Sequence, residues 1–402
     1  MGEPKEKTIG EKVARILVYM PESKRAGAAI QRLSKNRLAS LFFYLGIPVF
    51  ACLAVLAFYL MLGTLSADIA SSTVRALERS VPLQAYILIP GLNPFVPVVY
   101  GLIGLVVAVS VHEVSHGVAA WRAGIPVEGA GVVFVLFVPV GAFVRPSEKE
   151  LEGARPLQRV SVFTAGVTSN LILALACLGL IVLLLLPAVS VQPYASKGVA
   201  IFSLDGKNSP AGLAGLRPGD VITAIENHPV TNISQLQYLE TQVLKPGENV
   251  SVTTSLNKTF YVRLEPNPSN KSIAILGIFA YDASQALSQW KHPTGILQYF
   301  VPVTYEETPF NPVAGVYYRF PIPLWQPVAD TLFWIWWVSI SLGVFNALPA
   351  FYLDGGQVAR EFFRFVFKGS KGGEEKALKA TGYTSYIVLL LFLLLILVPR
   401  IL

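Results

Sequence analysis

Cysteine, methionine, histidine and charge are all scarce in this chain of 402 residues. The two cysteines, Cys52 and Cys177, lie inside apolar runs, which excludes a disulfide framework and a cysteine-rich zinc site. Only 14% of residues are charged, against roughly 25% in an ordinary soluble domain. With 53% hydrophobic residues, that shortage excludes a disordered chain and an ordinary soluble enzyme, and lipid must solvate much of the surface. The first 38 residues are polar and of mixed charge, so no cleavable signal peptide is expected and insertion begins at an internal span. Acidic residues number 25 against 32 Lys and Arg, a net charge of +7. In a membrane protein such a surplus gathers in cytoplasmic loops, so the expected partner is the lipid bilayer and not nucleic acid.

What the chain does have is uncharged length. After a basic N-terminal segment (1–38), a first span is expected over 39–67, kinked at Pro48. Prolines break up the uncharged run from 80, so the second span starts near Val98 and runs to Trp121. The third lies within 160–196, and the fourth covers 331–353. The aromatics that open it, Phe333, Trp334, Trp336 and Trp337, suit an interfacial belt. The fifth is YIVLLLFLLLILV, between Lys379 and Arg400, beyond a basic loop within 361–402. One apolar stretch, GAGVVFVLFVPVGAFV at 129–144, is too short to span, β-branched and interrupted by Pro139. It reads as a strand pair or re-entrant hairpin, which needs protein or a wet cavity around it at membrane depth.

The one water-soluble block follows the third span. Alternating runs VITAIEN, NVSVTTSL and TFYVRLE are separated by Gly, Pro and Asn turns, with a short helix near Ser234–Gln242. Residues 195–275 resemble a PDZ domain, on Ser209-Pro210-Ala211, Ala214-Gly215-Leu216 and Arg217-Pro218-Gly219-Asp220-Val221-Ile222. Such domains bind extended chain ends by adding them to a sheet edge. Residues 276–324 are expected to be an extracytoplasmic linker. Nine Lys/Arg in the first 38 residues and six between Arg360 and Lys379 contrast with two in 66–97. The N-terminus and 355–380 are therefore expected in the cytoplasm and the PDZ-like block outside. The sequons at Asn232, Asn249, Asn257 and Asn270 all fall in that outer block. No internal repeat supports an inverted-repeat transporter.

The motif that carries chemistry is His112-Glu113-Val114-Ser115-His116. At i and i+4 on a helix the two imidazoles share a face, where both can bind one Zn²⁺. Glu113 is placed to hold and deprotonate a water there. Composition alone would produce only about 0.0025 such matches per chain. In a span, the carboxylate costs roughly 2.5 kcal/mol or more. The motif residues could otherwise simply face a packed bundle. A third ligand is required. His228 and His292 each precede a proline in the outer block, so Asp354 at the end of the fourth span is the better candidate. From the residues alone it is either a ligand, freed by Pro349 and Gly355-Gly356, or the cap of a helix starting near Gln357.

HExxH in one span with Asn346-x-x-Pro349-x-x-x-x-Asp354-Gly355 in a later one resembles the site-2 protease family of intramembrane zinc metalloproteases. Gly166-Val-Thr-Ser-Asn170 and Pro139-Val-Gly141-Ala-Phe143-Val144 agree with it. Ala142 and Gln357 depart from the family's usual residues. The resemblance covers roughly 98–188 and 325–360. It implies a polytopic α-helical membrane protein with a three-helix catalytic core, a membrane-embedded β hairpin and an inserted β-rich PDZ-like domain. His112, His116 and Asp354 would be zinc ligands, one ion per chain, and Glu113 the general base and acid. Asn346, Asn170, Gly141 and Phe143 would support ligands or substrate. The implied substrates are membrane-anchored proteins already shortened by another protease, with the PDZ-like domain gating entry.

Two other classes make different demands. An inactive PDZ scaffold held at a membrane would bind no zinc. A channel or transporter would need further ionisable residues inside the spans, and the spans as drawn above hold essentially none. The prenyl-protein type of HExxH membrane protease takes a glutamate as third ligand, against which NxxPxxxxDG argues.

Overall fold

The computed structural model describes residues 18–36, 41–135, 138–206, 208–268, 270–292, 314–321 and 324–402. Half of the basic segment 1–38 thus lies outside the described residues. The chain divides into two compact units, Met1–Cys177 with Trp334–Leu402, and Leu178–Phe333. Among the described residues, five helices are long and apolar enough to cross a membrane: Leu45–Ala70, Val98–Arg122, Pro156–Ala188, Trp325–Asn346 and Gly373–Ile401.

Small residues set the helix packing of the first unit. The helix Val98–Arg122 starts once Pro97 ends the proline-rich run, and it buries Gly101, Gly104, Ala108, Ser115 and Gly117. A Cβ on Gly104 would lie 2.6 Å from the carbonyl oxygen of Trp334, and one on Gly46 would lie 2.7 Å from Thr164 Oγ1. Without a hydrophobic drive between helices in lipid, such close approach supplies the dispersion contact that joins them. Pro48 sits inside the first long helix, as expected.

Two expectations about the spans need correction. The fourth helix begins at Trp325, so Phe333, Trp334 and Trp336 fall more than two turns inside it. They are at most 2% exposed, which leaves the half-buried Trp337 as the one member of the expected belt with a face outside the protein. The first helix runs on to Ala70 and the fourth starts six residues early, which brings in Asp68 and Asp330, both buried. The spans therefore hold ionisable residues that the uncharged runs left out.

The stretch 129–144 is an antiparallel hairpin of Val127–Val135 and Val138–Pro146. Its outer strand pairs with Val18–Tyr19, and the Ser23 N–H donates to the Ala130 carbonyl at 2.8 Å. Glu22 and Arg145 close that edge at 2.6 Å. The inner strand runs along the HExxH helix, where a Cβ on Gly141 would meet Val109 Cγ1 at 2.6 Å. Residues 18–23 thus lie along the outer strand and the HExxH helix along the inner one, the kind of cover that an exposed strand edge needs. The amphipathic helix Lys24–Ser34, capped by Ser23, seats Ile30 against Gly117.

In the second unit the strands Ile278–Tyr281, Val199–Leu204, Val221–Ile225, Asn249–Thr254 and Thr259–Arg263 form one antiparallel sheet in that order. Val199, Ile201, Ile222, Ile225, Val250 and Leu236 are among its core residues. The helix Ile233–Tyr238, extended by a π turn over Leu239–Val243, matches the expected short helix. The sheet does not stop at 275. Ile278–Tyr281 is a strand and Ala283–Lys291 a helix. Tyr317 is buried, with its hydroxyl accepting the Gly219 N–H at 2.7 Å. What the sequence assigned to a linker is in part the rim of this sheet, because short apolar runs such as IFAY carry no period of their own.

Candidate metal centre

His112 and His116 stand one turn apart on the helix Val98–Arg122, ring centroids 4.7 Å apart and nearly perpendicular. Their Nε2 atoms lie 3.1 Å from each other. Asp354 reaches them from another element: Oδ2 is 3.2 Å from His112 Nε2, and Oδ1 is 3.3 Å from His116 Nε2. One ligand atom from each residue fits within a 4.8 Å span. Asp354 is the first residue of the helix Asp354–Val366, whose N-cap is Leu353, so it does not cap a helix starting at Gln357. The loop before it is tight. A Cβ on Gly355 would lie 2.2 Å from the Leu348 carbonyl oxygen, and one on Gly356 2.2 Å from that of Ala350. Tyr352 there takes φ +71°.

Helix Pro156–Leu180 backs the site. His116 Nδ1 donates to the Val162 carbonyl at 2.8 Å, which leaves the Nε2 lone pair facing inward. His112 Nδ1 is 3.1 Å from the Asn170 amide, and Asn170 Oδ1 is otherwise buried without a partner. Turning that amide over gives the His112 Nδ1–H an acceptor in Oδ1. Gly166 makes room, since a Cβ there would be 2.6 Å from His112 Cε1 and from His116 Nε2. Two imidazole lone pairs and a carboxylate thus converge with no donor among them. That donor set is one a cation satisfies.

Glu113 faces the hairpin, its Oε2 accepting the Val144 N–H at 3.3 Å. Glu113, His116 and Asp354 border a cavity of about 390 Å³, whose far wall includes Arg159, Glu361 and Arg364. Of the other residues singled out from sequence, Asn170 is at the site. Asn346 donates to the Leu342 carbonyl of its own helix at 3.0 Å. Gly141 rests on Val109, and Phe143 lies across from Gly131 in the hairpin. Sequence reasoning missed the Val162 carbonyl, for which no side-chain signal exists. It also missed Arg159 and Glu361, although Glu361 stands two helical turns beyond Asp354 on the same face.

The profile of peptidase family M50 matches residues 100–393. An uncharacterized protein of Methanocaldococcus jannaschii, MJ0971, is 25% identical over 83% of this chain and 74% of its own length. A membrane-bound transcription factor site-2 protease homolog of Arabidopsis thaliana is 28% identical over 38% of this chain and 28% of its own. The zinc metalloprotease RasP of Shouchella clausii is 25% identical over 64% and 63%, respectively.

Proposed function

The chain belongs to peptidase family M50, and on that premise we propose that it is a zinc-dependent intramembrane protease of the site-2 type. It hydrolyses peptide bonds in or near transmembrane segments of membrane-anchored proteins. The observation that carries this reading is the convergence of His112, His116 and Asp354 within 4.8 Å, with Glu113 beside the first histidine. Two imidazoles and one carboxylate are a catalytic zinc set, leaving a position for water and substrate. When bound, zinc polarises the scissile carbonyl and acidifies the attacking water.

The chain's own residues do the rest. Val162 and Asn170 fix the two rings with Nε2 inward. Glu113, held toward the hairpin by the Val144 N–H, takes a proton from the water and returns it to the leaving amine. The β-rich second unit is a PDZ-like gate that admits stubs already shortened by another protease. The N-terminus and residues 355–380 face the cytoplasm, and the gate lies on the opposite side.

The test is cleavage of a single-span substrate by purified protein in detergent, wild type beside Glu113→Gln, with zinc measured on both. Glu113→Gln should keep zinc near one ion per chain and lose at least about 100-fold in rate. Protein prepared without chelator that holds no zinc would sink the reading in favour of a membrane scaffold.

A further inference from the structure

We propose that the ion pair between Arg159 and the buried Glu361 is a positioning element for the third ligand, fixing Asp354 against His112 and His116. This rests on the zinc site proposed above. Asp354 is not carried by the span that precedes it. The helix breaks at Ala347–Leu353 and a new one starts at Asp354, so the place of the carboxylate depends on what holds that helix. Asp354 and Glu361 are seven residues apart on it, two turns along one face, about 10 Å. One end of that face meets the imidazoles. At the other, Glu361, with its side chain 4% exposed, binds Arg159 Nη2 at 2.6 Å.

Arg159 is itself fixed. Its Nη1 donates to the carbonyls of Glu152 and Ala154 at 3.1 and 2.6 Å. It also sits on Pro156–Leu180, the helix that supplies Val162, Gly166 and Asn170 to the histidines. Pro156–Leu180 therefore meets the Asp354 helix directly at Arg159 and, two turns away, through the histidines whose rings it orients. Glu361 has a second partner, Arg364 at 2.5 Å on its own helix. Loss of Arg159 would leave the buried carboxylate compensated and remove only the tie between elements. Ligand orientation of this kind is worth about 10–100-fold in metal affinity.

The test uses the full chain in detergent. Zinc affinity is measured by chelator competition for wild type, Arg159→Gln, Glu361→Gln and the exchanged pair Arg159→Glu/Glu361→Arg. Hydrogen exchange at the amides of residues 354–361 is followed in metal-free protein. Glu375→Gln, which breaks the exposed Lys379 pair, serves as the control. The single variants should bind zinc about 10–100-fold more weakly and exchange faster at 354–361, the exchanged pair should recover part of both, and the control should match wild type. Should either single variant fail to fold, Arg159→Lys, which keeps the charge but loses the forked donors, carries the comparison. A folded variant with unchanged zinc affinity and unchanged exchange overturns the proposal, as does a loss confined to thermal stability. If wild type binds no zinc, the protease reading fails, and the exchange comparison alone decides whether the pair holds the helix.

Discussion

At the scale of single residues, the proposed metal site depends on leaving the right nitrogens bare. His116 spends its Nδ1 proton on the Val162 carbonyl, and Asn170 stands at the matching position on His112. Gly166 makes that arrangement possible by contributing no side chain. Gly166→Ala should abolish stoichiometric zinc, because its methyl would lie 2.6 Å from both rings. Gly179→Ala, on the same helix with nothing within 4 Å, should retain it, and metal analysis of the two proteins checks this. The histidines and Glu113 were legible in the sequence because helical spacing fixes their mutual geometry. Asp354 was not legible from spacing alone, since more than two hundred residues and a helix break separate it from its partners. Gly166 and Val162 act through absence and through backbone, which a reading of side chains passes over.

At the scale of elements, the broken helix and the hairpin do what an unbroken span could not. The interruption after Asn346 lets a carboxylate enter from a second direction, and Gly355 and Gly356 let the new helix start directly on the loop backbone. Gly355→Ala should lower both the melting temperature and the zinc content, as calorimetry and metal analysis would show, because the 2.2 Å approach to Leu348 leaves no room. The hairpin was recognisable by its length and β-branching, whereas its outer partner Val18–Tyr19 was not. That strand is two residues long and carries no pattern.

In the β-rich unit, burial raises the Glu240 carboxyl above its ordinary range, against the Leu276 N–H that it accepts at 3.3 Å. A raised folded value means that the stability present below the unfolded pKa is lost as pH rises through the folded one. Hydrogen-exchange protection of Val199–Leu204, corrected for intrinsic rates, should therefore be higher at pH 4 than at pH 8 in the full chain. Glu240→Gln should remove most of that difference.

At the scale of the whole molecule, the proposed topology rests on the parity of the five long apolar helices among the described residues. One of them, Trp325–Asn346, lies between Lys258 and Lys371, so that topology puts the two lysines on opposite sides of the bilayer. With Cys52 and Cys177 removed, Lys258→Cys and Lys371→Cys in sealed vesicles should react with an impermeant maleimide in mutually exclusive orientations. Equal labelling of both would break the proposed topology. Helix count and order were legible because charge-free length is a one-dimensional signal. Helix ends were less so: Asp68 and Asp330 lie just outside the uncharged runs yet inside the helices, where tertiary burial rather than composition sets the boundary.

The division of the ligand set between distant stretches also has a consequence in time. From His112 to Asp354 the ribosome must add 242 residues, roughly 10–50 s of synthesis at ~5–20 residues per second. On the proposed reading, the two histidines have no third ligand throughout that interval. The growing chain then cannot cleave its neighbours in the membrane until Asp354, close to its end, has been made.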